Sequence, residues 1–227
     1  MRGPSAKQRE QPHKKQRARS RTITQHSPQI TNPSSQPTGA VFQTLDRTAA
    51  YPYTRGEYAR RFAWRVVEVL LIRPSPPRAY AWRRFWLRRF GARVASTSRI
   101  RASTRIMHPW LLTMGRHSIL GDRVRVYNLG PVTLGDHTVI SQDVSLCAGT
   151  HDYTQPHLPL LRPPITIGSG VWICAEAFIG PGTTIGDNSV VGARAVVTRS
   201  VPPGVVVAGN PARILKPRPM HPESKRG

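Results

Sequence analysis

The segment GTHDYTQPHLPL (149–160) carries two histidines, His151 and His157, among polar and turn-forming residues. An imidazole titrates near neutral pH, so such a side chain can take up or release a proton during a reaction. On the residues alone, a solvated loop histidine is the simpler interpretation of His151. A zinc site would need three converging histidines, for which His117, His151 and His157 are available. Their spacing follows no paired ligand pattern, so we expect no metal.

The elements that must position this loop are indicated by a six-residue repeat. Aliphatic residues recur at every sixth position on both sides of the loop, with small residues at the next position in most cases. The four runs are Val94, Ile100 and Ile106; Met114, Leu120 and Val126; Leu134, Ile140 and Leu146; and Ile167, Ile173, Ile179, Ile185, Val191 and Val197. Helices repeat near 3.6 residues and strands near two, so neither element alone explains the period.

The repeat predicts a mainly β fold, a left-handed parallel β-helix in which three hexads close one triangular coil. The aliphatic side chains point inward and stack about 4.8 Å apart, and small residues turn the corners. Between Ile106 and Met114, and between Val126 and Leu134, the spacing is eight residues, so we expect these corners to bulge outward. Cys147 and Cys174 follow inward residues, so we interpret both as small corner residues.

Outside the repeat, the charge and composition of the chain distinguish its two termini from the rest. The formal net charge is +23, and residues 1–40 hold eight Lys or Arg against one Glu, with many Ser, Pro and Gln. This composition predicts a disordered basic tail over 1–40 and a flexible C-terminus over 219–227. The tail lacks regular basic and aromatic interleaving, so we expect no nucleic-acid partner.

Residues 41–92 form an N-terminal helical segment, with helices predicted over 57–72 and 79–90 and the β-helix domain over 93–218. The segment is a cap over the first coil, or a membrane-proximal element with one aromatic and one basic face. No apolar run reaches the roughly 20 residues of a membrane span. We expect a cytoplasmic protein, with peripheral contact to the inner face of an anionic membrane as a further role.

The sequence resembles the hexapeptide-repeat acyltransferases, and within them the O-acetyltransferases of the colanic-acid-biosynthesis type. Residues 41–218 carry the resemblance, through YNLGPVTLGDHTVIS (127–141), GTHDYTQPHLPL (149–160), ITIGSGVWI (165–173) and GARAVVTRSVPPGVVVAGNPARILK (192–216). It implies an enzyme that moves an acetyl group from acetyl-CoA to a sugar hydroxyl in exopolysaccharide or related glycan biosynthesis. His151 would then be the general base. The resemblance places Asn128 at the acceptor, and Asp152 would orient the imidazole.

The resemblance also implies a homotrimer whose donor groove lies between two chains. Trp172 would form a wall near the thioester, and the other donor-binding residues would contact the pantetheine arm, the nucleotide and its phosphates. These residues are Ala175, Ala193, Thr198, Arg199, Arg213 and Lys216. Two alternatives stay open: N-acetylation of an amino sugar on the same fold, and a non-catalytic scaffold that binds a membrane or polyanion.

Overall fold

The computed structural model describes Gln43 and residues 53–219. The chain divides into two units, Met1–Ala40 and Val41–Gly227, and the described residues belong to the second unit. The predicted basic tail (1–40) therefore lies outside the described residues, as does nearly all of the predicted flexible C-terminus (219–227).

Three largely parallel sheets form the faces of a triangular prism, which is the left-handed β-helix that the six-residue repeat predicts. Face A contains β1 (Arg93–Val94), β4 (Leu112–Met114), β7 (Val132–Leu134), β12 (Ile165–Ile167) and β15 (Thr184–Ile185). Face B contains β2 (Arg99–Ile100), β5 (Ile119–Leu120), β8 (Val139–Ile140), β13 (Trp172–Ile173), β16 (Val190–Val191), β18 (Val205–Ala208) and β19 (Arg213–Pro217). Face C contains β3 (Arg105–Ile106), β6 (Arg125–Tyr127), β9 (Ser145–Cys147), β14 (Phe178–Ile179) and β17 (Val196–Val197).

The core is a set of inward-pointing columns, one along each face. On face B, Ile140, Ile173 and Val191 pair in register from coil to coil, and none is exposed to solvent. Every inward position that the repeat predicts, from Val94 to Val197, is buried. Each such side chain contributes about 1.5–3 kcal/mol through burial. The prism is therefore rigid enough to position side chains along its three edges.

The longer corners lie on the edge between faces C and A, and the inward register is kept across them, because Leu112 pairs with Val132 and Met114 with Leu134. His108 in the first corner and Asn128 and Leu129 in the second are buried. The chain that returns from the 151–161 loop closes over them. A Cβ built on Gly130 would collide with the Arg162 carbonyl oxygen, so only glycine fits at this close approach.

Two helices precede the prism. Helix α1 spans Arg55–Val67, continues as a π-helical segment over Glu68–Ile72, and is followed by α2 over Tyr80–Arg89. Thr54 begins α1 with a capping box, because its hydroxyl accepts from the Glu57 amide while the Glu57 carboxylate accepts from the Thr54 amide. The predicted helices over 57–72 and 79–90 agree with these bounds within two residues.

The helices cover the first coil through apolar and polar side chains together: Leu87 is buried in the core, Trp86 and Phe90 pack against it, and arginines bind its carbonyl groups. Arg83 is fully buried, and its Nε donates to the Ile100 carbonyl at 2.7 Å. Arg88 Nε donates to the Val94 carbonyl at 2.8 Å, and Trp64 Nε1 donates at 2.7 Å to the carbonyl that ends β3. An open end of a β-helix leaves such carbonyls unpaired, so these donors satisfy groups that would otherwise be costly to bury.

The outer face of the helices is also apolar. Phe62, Leu70 and Phe85 are 72%, 63% and 55% exposed, and the Trp82 ring stacks on Phe85 with centroids 6.4 Å apart. Within residues 53–219, no helix is long and apolar enough to cross a bilayer.

Candidate active site

The edge between faces C and A carries the loop that holds His151. After β9 the chain leaves the prism and forms a small antiparallel hairpin, β10 (Thr150–His151) with β11 (Leu160–Leu161), before it rejoins face A at β12. His151 pairs with Leu160 in this hairpin and is exposed. The break in the six-residue repeat therefore marks a protrusion with a histidine at its base.

The His151 imidazole is oriented by a backbone carbonyl. Its Nδ1 lies 2.6 Å from the Leu158 carbonyl oxygen. A carbonyl can only accept, so Nδ1 carries the proton and Nε2 of the neutral ring keeps its lone pair. Leu158 has a φ of 45°, a left-handed conformation that is uncommon outside glycine. This arrangement suits a base that acts through Nε2.

Asp152 does not orient the imidazole, which corrects the sequence expectation. Its carboxylate accepts from the Thr154 amide at 3.0 Å, from the Thr154 hydroxyl at 2.6 Å and from Gln155 Nε2 at 2.8 Å. These hydrogen bonds, the Thr154 hydroxyl first, lower the pKa of Asp152. Asp152 therefore builds the turn that carries the chain from His151 to Leu158, and adjacent side chains on an extended strand diverge.

Asn128 is also placed differently from the expectation that it faces the acceptor. The side chain is fully buried, its Oδ1 accepts from the His108 amide at 2.9 Å, and its Nδ2 donates to the His108 carbonyl at 2.6 Å. The Asn128 amide thus joins the two longer corners of the C–A edge instead of presenting a free donor at the surface.

His108 is the residue at this edge that sequence reasoning did not single out. Its Nδ1 lies 2.9 Å from the Asn128 carbonyl, and its Nε2 is buried with no hydrogen-bond partner among residues 53–219. Burial is the main cause that lowers the pKa of His108. The ring is therefore neutral at pH 7 and packs between Tyr53 and Trp110. Its only signal in the sequence is its place beside Pro109.

The predicted donor-binding residues lie on face B and on two edges of the prism. Trp172 lies on face B, half exposed, with its indole Nε1 donating to the Ser141 hydroxyl at 3.0 Å. Ala175 and Ala193 follow face-B strands and stack at the edge between faces B and C, where the Ala175 carbonyl accepts from the Arg194 amide. Thr198 and Arg199 follow β17 on the C–A edge, the edge that also carries His151.

The C-terminal strand extends face B. β19 folds back antiparallel on β18 and pairs Arg213 with Ala208 and Lys216 with Val206. Both basic side chains are exposed. One chain therefore carries two separate half-sites: His151, Thr198 and Arg199 on the C–A edge, and the remaining predicted donor residues on face B and the B–C edge.

The described part of the chain contains no group of side chains that could ligate a metal ion. Across residues 53–219, no three His, Cys, Asp or Glu side chains group as a metal site would need. His117 lies on the edge between faces A and B, where its ring stacks on His137 with centroids 4.9 Å apart. It is thus on a different edge from His151 and His157.

The fold and this edge loop define a β-helical acyltransferase, and comparisons with known proteins agree. Residues 164–199 match the family model described as bacterial transferase hexapeptide (six repeats). The chain is 44% identical over 155 residues to the putative colanic acid biosynthesis acetyltransferase WcaF of Escherichia coli (strain K12), covering 68% of this chain and 85% of that relative.

Solved structures give the same answer. A galactoside acetyltransferase in complex with coenzyme A aligns with a TM-score of 0.67 and 28% identity, over 74% of this chain and 84% of that chain. A hexapeptide-repeat acetyltransferase, VCA0836 from Vibrio cholerae, complexed with acetyl-CoA, aligns with a TM-score of 0.67 and 27% identity over 78% and 96%. The chain belongs to the hexapeptide-repeat acyltransferase family, and it is an acetyltransferase.

Proposed function

We propose that the protein transfers the acetyl group of acetyl-CoA to a sugar hydroxyl in exopolysaccharide or related glycan biosynthesis, with His151 as the general base. The observation that carries this proposal is the Nδ1 contact of His151 with the Leu158 carbonyl, which leaves Nε2 as a proton acceptor at an exposed position. The names of the relatives, a colanic acid biosynthesis acetyltransferase and a galactoside acetyltransferase, support a sugar acceptor.

In the reaction, His151 Nε2 accepts the proton of the acceptor hydroxyl while that oxygen attacks the thioester carbonyl carbon. The tetrahedral intermediate collapses, the carbon–sulfur bond breaks, and the imidazolium returns the proton to the departing thiolate. The acetyl group passes directly to the sugar, and no acyl-enzyme is required. Because a thiolate is a good leaving group, most of the acceleration comes from positioning the two substrates.

The proposed donor site fits coenzyme A in shape and charge. The one-carbon side chains of Ala175 and Ala193 stack at one edge, so a narrow pantetheine arm can approach the backbone there. Arg199 and Lys216 are exposed and form no ion pair among the described residues, so their charges are available to phosphates. Burial raises the pKa of the Cys174 thiol next to Ala175, which fits a structural corner residue.

A second copy of the chain completes the site in this proposal. His151 lies on the C–A edge and Ala175 on the B–C edge of one prism, with face C between them. A site that uses both edges is formed when the C–A edge of one copy meets the B–C edge of the next. Repeating that contact around a threefold axis gives a homotrimer with three equivalent grooves.

The test is release of free thiol from acetyl-CoA with a panel of sugars, nucleotide sugars and lipid-linked sugars. We expect acceptor-dependent release by the wild type and its loss in His151→Ala. His137→Ala is the matched control, because it removes an exposed histidine on another edge. We expect this variant to keep wild-type turnover. Full activity of a correctly assembled His151→Ala protein would refute the role of His151. Amino-sugar acceptors in the same panel test the N-acetyltransferase alternative.

A peripheral membrane contact is a second role that the exposed helical face supports. Phe62 and Leu70 are largely exposed, and residues 41–92 hold eleven Arg against three acidic residues, which suits an anionic bilayer. We expect Phe62→Gln/Leu70→Gln to reduce flotation with phosphatidylglycerol vesicles, while the control Ile214→Gln/Leu215→Gln does not. If both variants floated with the vesicles as the wild type does, the membrane contact and the membrane-binding scaffold alternative would be refuted.

A further inference from the structure

The carbonyl groups of the first coil point away from the rest of the prism, and α2 lies beyond them. Backbone amides of the first coil donate toward the second coil, as the Arg99 amide does to the Ser118 carbonyl. The first-coil carbonyls therefore point the other way along the prism axis. Arg83 of α2 donates to one of them, the Ile100 carbonyl. The side of α2 opposite Arg83 therefore faces outward along the axis and not across any of the three faces.

An aromatic stripe covers this outer side of α2. Trp82, Phe85 and Arg89 are spaced at i, i+3 and i+7, so they share one side of the helix. The Trp82 and Phe85 rings stack, and both are exposed. The Trp82 indole also donates at 2.8 Å to the Leu71 carbonyl, which joins α2 to the end of the π-helical segment, where Leu70 is exposed. We call the surface formed by Leu70, Trp82, Phe85 and Arg89 the cap base.

Positive charge is concentrated at the same end of the prism. Residues 53–126, which form the helices and the first two coils, hold 17 Arg against three Asp or Glu, a net charge of +14. Residues 127–219 hold six Lys or Arg against five Asp or Glu, a net charge of +1. The field of the protein therefore directs the cap end toward an anionic surface. Exposed aromatic side chains among arginines are typical of elements that lie in the interface of an anionic bilayer.

The proposed homotrimer leaves the cap base open. Contact between the C–A edge of one copy and the B–C edge of the next runs along the prisms, so the prism axes stay parallel to the threefold axis. All three cap bases then lie at one end of the assembly, outside the contacts between copies. Three weak contacts on one rigid body bind a surface far more tightly than one contact does.

We infer that the three cap bases of the homotrimer rest together on an anionic bilayer, with the threefold axis along the membrane normal. The inference rests on the proposed function, from which it takes the homotrimer and the membrane contact, and it adds the orientation. The partner is a lipid surface because its phosphate groups match the arginines and its acyl boundary accommodates the aromatic rings. A soluble polyanion offers only the charge.

This orientation determines the height of the active site above the membrane. Face C stacks β3, β6 and β9 in that order, and His151 follows β9. Two coil spacings of about 4.8 Å and the thickness of α2, about 10 Å, place His151 about 20 Å above the cap base. The headgroup layer of one leaflet is about 5–8 Å thick. Acetyl transfer would then take place on a sugar held clear of the headgroups, where a glycan anchored in the bilayer is concentrated.

The first measurement is the distance of three positions from the bilayer. A fluorescent label is attached in turn to Phe85→Cys, His137→Cys and Leu215→Cys, in a Cys147→Ala/Cys174→Ala background, and energy transfer to a lipid-bound quencher is recorded on phosphatidylglycerol vesicles. His137 lies in the same coil as β9, and Leu215 lies in β19, four strands beyond β8 on face B. We expect the label at Phe85 to be nearest, the label at His137 about 20 Å further and the label at Leu215 about 40 Å further.

The second measurement needs no label and no change of cysteine. We expect Leu70→Gln/Phe85→Gln to weaken binding to phosphatidylglycerol vesicles at least about tenfold, because two apolar side chains no longer enter the interface. The matched control is Ile214→Gln/Leu215→Gln, which removes two exposed apolar side chains from the far end of the prism and should bind as the wild type does. Binding to phosphatidylcholine vesicles should be weak for all three proteins.

The outcomes are distinct. A label at His137 as close to the bilayer as the label at Phe85 would mean that the prism lies on its side, and would overturn the orientation. Binding that salt reduces but that Leu70→Gln/Phe85→Gln leaves unchanged would indicate a contact through charge alone, as with a soluble polyanion, and would overturn it too. Both failures would leave the acetyl transfer standing, because thiol release is measured without vesicles. Loss of the His151 role would appear in thiol release and would leave the label distances unchanged.

Discussion

Changing Asp152 to asparagine separates two explanations of how the His151 imidazole is held. If the carboxylate oriented the ring, as in a serine-protease triad, removal of its charge would cost about 10⁴-fold in kcat. In this structure the Leu158 carbonyl is the partner of Nδ1, at 2.6 Å, and the Asp152 carboxylate bonds to Thr154 and Gln155.

The expected magnitude follows from those bonds. In the Asp152→Asn variant the side-chain amide oxygen can still accept both hydrogen bonds from Thr154, so only the contact with Gln155 must be remade. A single neutral hydrogen bond is worth at most about tenfold in an equilibrium. We therefore expect Asp152→Asn to lower kcat/KM less than about fivefold. Asp152→Ala removes all three bonds to the turn, and its loss should be larger.

The assay is acceptor-dependent thiol release, paired with ¹⁵N-histidine spectra in which His151→Asn assigns the resonance. The spectra should report the Nδ1–H tautomer in wild type and in Asp152→Asn alike. A loss near 10⁴-fold, or a change of tautomer in Asp152→Asn, would refute the assignment of Leu158 as the orienting group.

Three further predictions concern the cap, the donor wall and acid stability. Arg83→Met should lower the free energy of unfolding by about 2–4 kcal/mol in urea titrations, because the buried Ile100 carbonyl loses its donor. Trp172→Ala should raise KM for acetyl-CoA about tenfold with a smaller change in kcat, because a wall contributes to binding in both ground and transition states. Hydrogen bonds from the Arg116 amide and guanidinium lower the pKa of Asp136 below 3.8, so its contribution to stability is full above that pH and lost as pH falls through the folded-state value.

Each of these has its own check. Arg89→Met removes an exposed arginine of α2 and should leave the free energy of unfolding unchanged. If Arg83→Met and Arg89→Met changed that free energy equally, the proposed role of Arg83 in the cap would be contradicted. Ser141→Ala removes only the hydrogen bond to the Trp172 indole and should raise KM less than Trp172→Ala. Asp136→Asn should flatten the pH dependence of the urea midpoint between pH about 5 and about 2, and an unchanged slope would contradict the pairing.

The β-helix could be predicted in detail because its energetics are local and periodic. Each inward side chain meets an identical environment one coil away, so a six-residue count is enough to identify Ile140 and Ile173 as neighbours. The left-handed backbone conformation of corner residues such as His137 and Arg194 could not be predicted from the sequence, because it is stabilised by hydrogen bonds to the adjacent coil.

The helices could be located but not oriented from their sequence. An aromatic stripe in α2 predicts a buried apolar face, whereas the open end of the prism presents carbonyl oxygens that need donors. Arg83 is therefore buried and Arg88 donates to the Val94 carbonyl, while Trp86 and Phe90 pack against the core and Phe85 stays exposed. The helix sequence does not contain the surface that α2 covers, so it could not show that an arginine would be buried beside these aromatic residues.

The sequence by itself determined the fold, the position of the loop that holds His151 and the family, since these follow from a repeat and from motifs contiguous in the chain. Only the tertiary structure decided what the polar residues of the loop and its edge do. Asn128 bonds to His108, twenty residues away, and Leu158 rather than Asp152 holds the His151 ring. Such roles depend on which groups meet across coils and hairpins, and hydrogen bonds act only at contact distance.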